Sequence, residues 1–150
     1  MSIRYNYFLC DRKLNVKKYK LSIIGATGRM GQMLVCAAME KNDFDLVGLL
    51  EVEGHNLIGT KGNELFPELK KNLVFSDSLE EILEISDVII DFTNPKNSVD
   101  VAVKAAKFKV VDVIGTTGFS KSQLKQIEKA SKNTTLIRAG NMSLGVNILT

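Results

Sequence analysis

Two hydrophobic patterns alternate along the chain: short unbroken apolar runs, and longer stretches in which apolar residues recur every three or four positions. The runs are LSIIG (21–25), FDLVGLL (44–50), LVF (73–75), DVIIDF (87–92), VVDVIG (110–115) and TLIRAG (135–140). Short and apolar on both faces, they predict strands of a parallel sheet that is covered from two sides. Between the first two, residues 28–41 predict a helix with Met30, Leu34, Ala37 and Ala38 on its inward face. Ser78 and Glu81 form a capping-box pattern ahead of Ile82 and Leu83, which predicts a helix opening at Ser78. Pro95 suits the first turn of a third helix, with Val99, Val103 and Ala106 inward, and Ser120 with Gln123 caps a fourth. Residues 53–72 predict a loop-rich connection with room for one short helix. NMSLGVNILT (141–150) reads as the start of another helix.

Strands that alternate with helices of this length imply βαβ units, hence an α/β fold with a doubly wound parallel sheet. Right-handed crossovers then bring every strand-to-helix turn to one rim. A length of 150 residues suits one domain with a sizeable core. No apolar run approaches the length of a membrane span, so no membrane partner is expected.

A formal net charge of +3 would suit an acidic partner. Its distribution argues against that. Arg4, Arg12, Lys13, Lys17, Lys18 and Lys20 face only Asp11 in the first 20 residues, which leaves the remaining chain net acidic. Nucleic acid is therefore not an expected partner. Residues 1–19 lack the apolar segment of a secretory signal and are expected to be a basic, flexible leader. Cys10 and Cys36 make neither a disulfide framework nor a metal-ligand spacing, so no metal site is expected. Cys36 is expected in the helix core, and a reducing cytoplasm is the expected location.

The candidate chemistry starts at IIGATGRMGQ (23–32), where Gly25, Gly28 and Gly31 follow a strand and open a helix. Glycine permits a sharp turn at Gly25, close approach of a phosphate at Gly28, and tight helix-to-strand packing at Gly31. The free amides at the helix N-terminus suit a pyrophosphate. Alone, such a segment fits packing equally well. Glu51 adds to it, since it ends the second strand twenty positions after Gly31, where a carboxylate binds the adenine ribose. Read without the glycines, Glu51 is an ordinary solvated loop residue. Together they favour a dinucleotide, NAD over NADP, although Arg29 offers a charge to a phosphate. DFTNP (91–95) and GTTGF (115–119) put small and hydroxyl residues where the rim would face a nicotinamide, and AGNMSLGVN (139–147) repeats this after the sixth run. As polar turns they need no ligand. His55, the one histidine, is expected to be a surface loop residue, and no acid–base constellation stands out.

GATGRMG, DVIIDFT, VIGTTGF and NMSLGVN, in this order and spacing, resemble the dihydrodipicolinate reductases of lysine and diaminopimelate biosynthesis. The resemblance runs from about Lys20 to Thr150. It implies an NAD(P)-binding Rossmann domain at 20–142 and, at 143–150, the start of a hinge into a substrate domain. It also implies hydride transfer from NADH or NADPH to a cyclic dipicolinate precursor, a small-molecule substrate, in a homotetramer. The cofactor contacts it implies are Gly25, Ala26, Thr27, Gly28, Arg29 and Met30; Glu51; Phe92 and Thr93; Gly115, Thr116 and Thr117; and Ala139, Gly140, Asn141 and Met142.

Two departures from the family pattern matter. Val52 stands where members that favour NADPH tend to carry arginine, so NADH is the expected cofactor, with NADPH as a second. The family's HHxxK segment, with its general-acid histidine and substrate-binding lysine, falls outside these 150 residues. The chain is thus expected to bind cofactor without supplying catalytic residues. The alternative is a stand-alone NAD-binding module with a regulatory or redox-sensing role.

Overall fold

A computed structural model describes residues 18–138. Six strands build one sheet: β1 (Tyr19–Ile24), β2 (Phe44–Leu50), β3 (Phe75–Ser76), β4 (Val88–Asp91), β5 (Val111–Ile114) and β6 (Leu136–Arg138). Four α-helices connect them: α1 (Arg29–Glu40), α2 (Leu79–Ile85), α3 (Pro95–Phe108) and α4 (Lys121–Ala130). All strand pairs are parallel and the order is β3-β2-β1-β4-β5-β6. The chain winds outward from β1 in both directions, so β1 and β4 flank a topological switch point. Ligands of open α/β sheets bind at such a crevice.

The sheet separates two layers of core. On one face Leu21, Ile23, Leu49 and Phe75 pack with Val35 of α1 and with Phe66 and Leu69. On the other, Ile24, Leu50 and Ile89 meet Ile82 and Leu83 of α2 and Val101 and Ala105 of α3. Val99, Ala102, Ile114 and Ile127 extend this second layer to α4.

The helix caps follow the sequence closely. Ser78 accepts from Glu81 N at 3.4 Å, Asn94 accepts from Asn97 N at 3.1 Å, and Ser120 and Gln123 exchange a full capping box. At α2 the Ser78 amide donates to Ser76 Oγ instead, so that box is only half formed. The 53–72 connection contains one short helical turn, Gly62–Glu64.

Several boundaries and faces differ from expectation. β1 starts at Tyr19, before the apolar run, and β3 lies at Phe75–Ser76 because Val74 turns to bridge Lys61. In α1 the inward positions are Gly31, Val35 and Ala38, whereas Met30 and Ala37 are exposed. Ala38 is buried as expected and Leu34 half so, packed against the core, while Met30 and Ala37 turn outward because periodicity gives no weight to Gly31. That glycine must lie against β1's exit, and its approach sets the rotation of the helix. Cys36, expected in the core, is exposed for the same reason. In α3, Val99 and Ala106 are buried as expected and Val103 half so, with Val101, Ala102 and Ala105 adding to the face. Of the expected leader at 1–19, residues 1–17 lie outside the described residues and Tyr19 already belongs to β1; the sites at Ala139, Gly140, Asn141 and Met142 and the expected hinge at 143–150 also lie outside them.

Candidate cofactor site

The glycine turn sits at the carboxyl end of β1. Gly25 has φ +74°, a conformation that side chains disfavour, and a Cβ there would lie 2.9 Å from Thr93 Cγ2. The amides of Gly25 and Ala26 both donate to Leu50 O, at 2.9 and 3.2 Å, which ties the turn to the end of β2. A Cβ at Gly31 would run into the carbonyl oxygen of Gly25 and the backbone of Ala26. This fixes the division of labour among the glycines: Gly25 makes the turn and Gly31 makes the packing. Gly28 has φ −64°, which any residue adopts, and it is exposed. It caps α1 with no side-chain hydrogen bond, and the first turn of α1 holds no acidic residue. Free amides and the positive dipole end thus face outward from the rim, an arrangement suited to an anion.

Glu51 follows β2 and turns back on this loop. Its Oε1 accepts from the amide and from the hydroxyl of Thr27, each at 2.7 Å, and Oε2 accepts from Val52 N at 3.2 Å. His55 joins the same group. Its Nδ1 accepts from Leu57 N at 3.2 Å, so in the neutral ring the proton is on Nε2, which donates to Thr27 Oγ1 at 3.3 Å. His55 is half-buried, not a free surface residue, and stands behind the glycine loop. Only the fold brings it there.

Across the switch point, Asp91 ends β4. Its Oδ1 accepts from Thr93 N at 3.0 Å and Thr93 Oγ1 at 2.7 Å. Thr116, after β5, accepts from Thr93 N at 3.1 Å and from Ser98 Oγ at 2.8 Å. The two rim loops are thereby sewn together by hydroxyls. The ring of Phe92 occupies the space a Gly115 side chain would need. Thr117 is exposed just beyond. Behind this rim lies a second carboxyl, Asp112 on β5, fully buried like Asp91. Burial, and after it the charge of Asp91, pushes Asp112 up to about 8. Burial also raises Asp91, opposed by the hydroxyls of Ser98 and Thr93 and by the Thr93 amide. Nothing in the sequence alone marks either aspartate as part of a site, although each interrupts an otherwise apolar strand.

Between the ends of β1, β2 and β4 opens a cavity of about 440 Å³, lined by Gly25, Glu51, Thr93 and Asn94 among others. Its wall is strongly acidic, with Glu53, Asp77, Glu80 and Asp100 joining Glu51. The one cation in that lining, Lys104, is paired with Glu80 at 3.0 Å and Asp100 at 3.2 Å. Of the sites expected from sequence, Gly25, Thr27, Glu51 and Thr93 converge on this region. Ala26 is buried under the loop, while Arg29 and Met30 stand exposed at the start of α1.

The sheet order, with a glycine turn and an uncapped helix at its switch point, defines a Rossmann-type dinucleotide-binding domain. A family model described as "Dihydrodipicolinate reductase, N-terminus" matches residues 19–142. The chain belongs to that family, as the motifs around the glycine loop, DVIIDFT and VIGTTGF suggested. The 4-hydroxy-tetrahydrodipicolinate reductase of Ruegeria sp. (strain TM1040) is 39% identical over 127 residues, 85% of this chain and 47% of that protein. The enzyme of the same name from Beijerinckia indica subsp. indica is 38% identical over 135 residues, 89% of this chain and 49% of that protein. Among solved structures, dipicolinate-bound dihydrodipicolinate reductase from Paenisporosarcina sp. TG-14 aligns with a TM-score of 0.61 at 27% identity. That alignment covers 77% of this chain and 43% of the other. The chain spans about half the length of the curated relatives it matches.

Proposed function

We propose that this chain is the cofactor half of a 4-hydroxy-tetrahydrodipicolinate reductase and binds NADH in preference to NADPH. In that reading the pyrophosphate lies on the free amides at the start of α1, beside Gly28, Arg29 and Met30. Glu51 accepts from the adenine ribose. Thr27 already holds its Oε1, and this leaves Oε2, with the weaker Val52 contact, for a ribose hydroxyl. Phe92, Thr93, Gly115, Thr116 and Thr117 border the nicotinamide end, with Ala139 to Met142 as further contacts. The bound dinucleotide supplies hydride; the residues of this chain hold it, orient it and keep its reactive end at the β4–β5 rim.

The observation that carries the preference is the acidic cavity wall around Glu51. A 2′-phosphate adds up to about two negative charges. It would enter a lining in which Lys104 is already committed to Glu80 and Asp100. In the intact enzyme the acceptor is a cyclic dipicolinate precursor of lysine and diaminopimelate biosynthesis, held by a second domain. Titration of the 150-residue chain with NADH and NADPH, followed by nucleotide fluorescence, tests the reading. Tighter binding of NADH is expected; equal or tighter binding of NADPH sinks the preference, and binding of neither sinks the cofactor assignment.

A further inference from the structure

The described residues contain three buried side-chain oxygens with no hydrogen-bond partner, and all belong to two residues: Asp91 Oδ2 and both oxygens of Asp112. Ile89 pairs with Asp112 and Asp91 with Ile114 across β4 and β5, so the two carboxyls are diagonal neighbours on one face of the sheet. Both are fully shielded from water. Two ionised carboxylates without donors do not persist in such a place, because desolvation and mutual repulsion both oppose them. One of the pair must carry a proton. Asp91 has the Thr93 amide and hydroxyl and the Ser98 hydroxyl to stabilise its charge, whereas Asp112 has no donor among the described residues. The proton therefore resides on Asp112, whose neutral carboxyl spares Asp91 a second buried charge at the diagonal position.

The surroundings leave few other candidates for this role. On the same face, α3 turns Ser98, Val99 and Ala102 inward and α4 turns Ile127 inward. No charged side chain of either helix is among their buried positions. On β6, Leu136 pairs with Asp112 and Arg138, diagonal to it, is exposed, so among the described residues Asp91 is the charged group that acts on Asp112. Ser22, on the adjoining β1, is engaged with Ser86 at 2.7 Å.

We propose that Asp112 is a positioning residue: by staying uncharged beside Asp91 it keeps Thr93 and Thr116, the hydroxyl seam of the β4–β5 rim, in place. The chain of contacts is short. Asp91 holds Thr93, Thr93 N reaches Thr116, and Ser98 holds Thr116 from below. Loss of the proton from Asp112 places a second buried anion behind Asp91, pulls the pair apart and releases the seam. The role of this seam in cofactor binding rests on the function proposed above; the coupling itself does not.

The test separates the two. Amide resonances of Thr93 and Thr116 are followed by nuclear magnetic resonance from about pH 6.5 to about pH 9.5, without nucleotide, in the native 150-residue chain and in Asp112→Asn. Both amides are expected to shift together in the native chain, with a midpoint near 8, and to stay flat in the variant. Static amides in the native chain overturn the proposal with no variant needed. So does an unchanged titration in Asp112→Asn. NADH titration over the same range is expected to show affinity falling about fivefold in the native chain, a response absent from the variant. An amide titration without any NADH binding keeps the coupling and sinks the cofactor reading instead.

Discussion

Thr27 gives both its amide and its hydroxyl to the same oxygen of Glu51, each at 2.7 Å, across 24 residues of sequence. This pair links the glycine loop after β1 to the end of β2. A carboxylate that has to meet ribose hydroxyls is thus held by the loop that has to meet phosphate. Removing it acts on both halves of the site at once.

For Glu51→Ala the expected outcome is NADH affinity weaker by about tenfold, from loss of a charge-assisted contact, with a smaller loss for NADPH. The asymmetry arises because a carboxylate that favours a ribose hydroxyl also repels a 2′-phosphate. Fluorescence titration with both nucleotides checks it; equal losses for the two would remove Glu51 from the ribose role.

His55 acts one bond further away. Its ring donates to the hydroxyl that in turn donates to Glu51, and the Leu57 amide fixes its tautomer. His55→Phe keeps the ring and removes the donor, and NADH affinity should fall about threefold. In a double-mutant cycle with Thr27→Val, a coupling of about 1 kcal/mol is expected. Simple additivity would mean that His55 merely fills space.

The glycines make opposite predictions. Gly31→Ala drives a methyl into the Gly25 carbonyl, and backbone cannot move aside as a side chain tip can, so a stability loss of about 3 kcal/mol is expected in urea denaturation. Gly28→Ala has an accessible φ and meets only Gly25 O at 3.3 Å, so the fold should lose no more than about 1 kcal/mol. Its methyl would instead stand where phosphate approaches, and NADH binding should drop about tenfold. A Gly28→Ala protein that binds NADH normally would move the phosphate away from this turn.

The contrast between these residues shows what was legible in the chain. Strand runs, helix caps and the Gly25–Gly31 turn were readable because each depends on neighbours within a few positions. The face of α1 is legible at Leu34 and Ala38 but not at Met30 and Ala37, because a glycine's role in packing leaves no hydrophobic mark. The Gly31–Glu51 spacing is readable as a fingerprint, but the contacts of Thr27 with that carboxylate and with His55 are not, since neither the glycine turn nor the 53–72 loop has a periodicity to place them. The acidic cavity wall draws Asp77 and Asp100 from segments that only the sheet order brings together. Asp91 and Asp112 were visible as charges inside apolar runs. Their meaning required knowing that β4 and β5 are neighbours with both aspartates on one face.

That buried pair also governs how stability responds to pH. Asp112 moves from an ordinary value of 3.8 to about 8 on folding, through burial first and the charge of Asp91 second. The unfolded chain gives up this proton near pH 4, while the folded chain keeps it to about pH 8. Between those limits the folded state binds more protons, so its stability falls as pH rises, and the contribution levels off above the folded value. One group supplies a slope of at most about 1.4 kcal/mol per pH unit in that window. Urea midpoints of the native chain should therefore decline from about pH 5 toward about pH 8 more steeply than those of Asp112→Asn, which has no proton to lose. Asp91, also raised by burial, remains in both proteins and stands beside a neutral neighbour in each below about pH 8, so its own contribution differs little between them in this window. Parallel midpoints across this range would show that Asp112 folds in already ionised, and the proton on it would have to be abandoned.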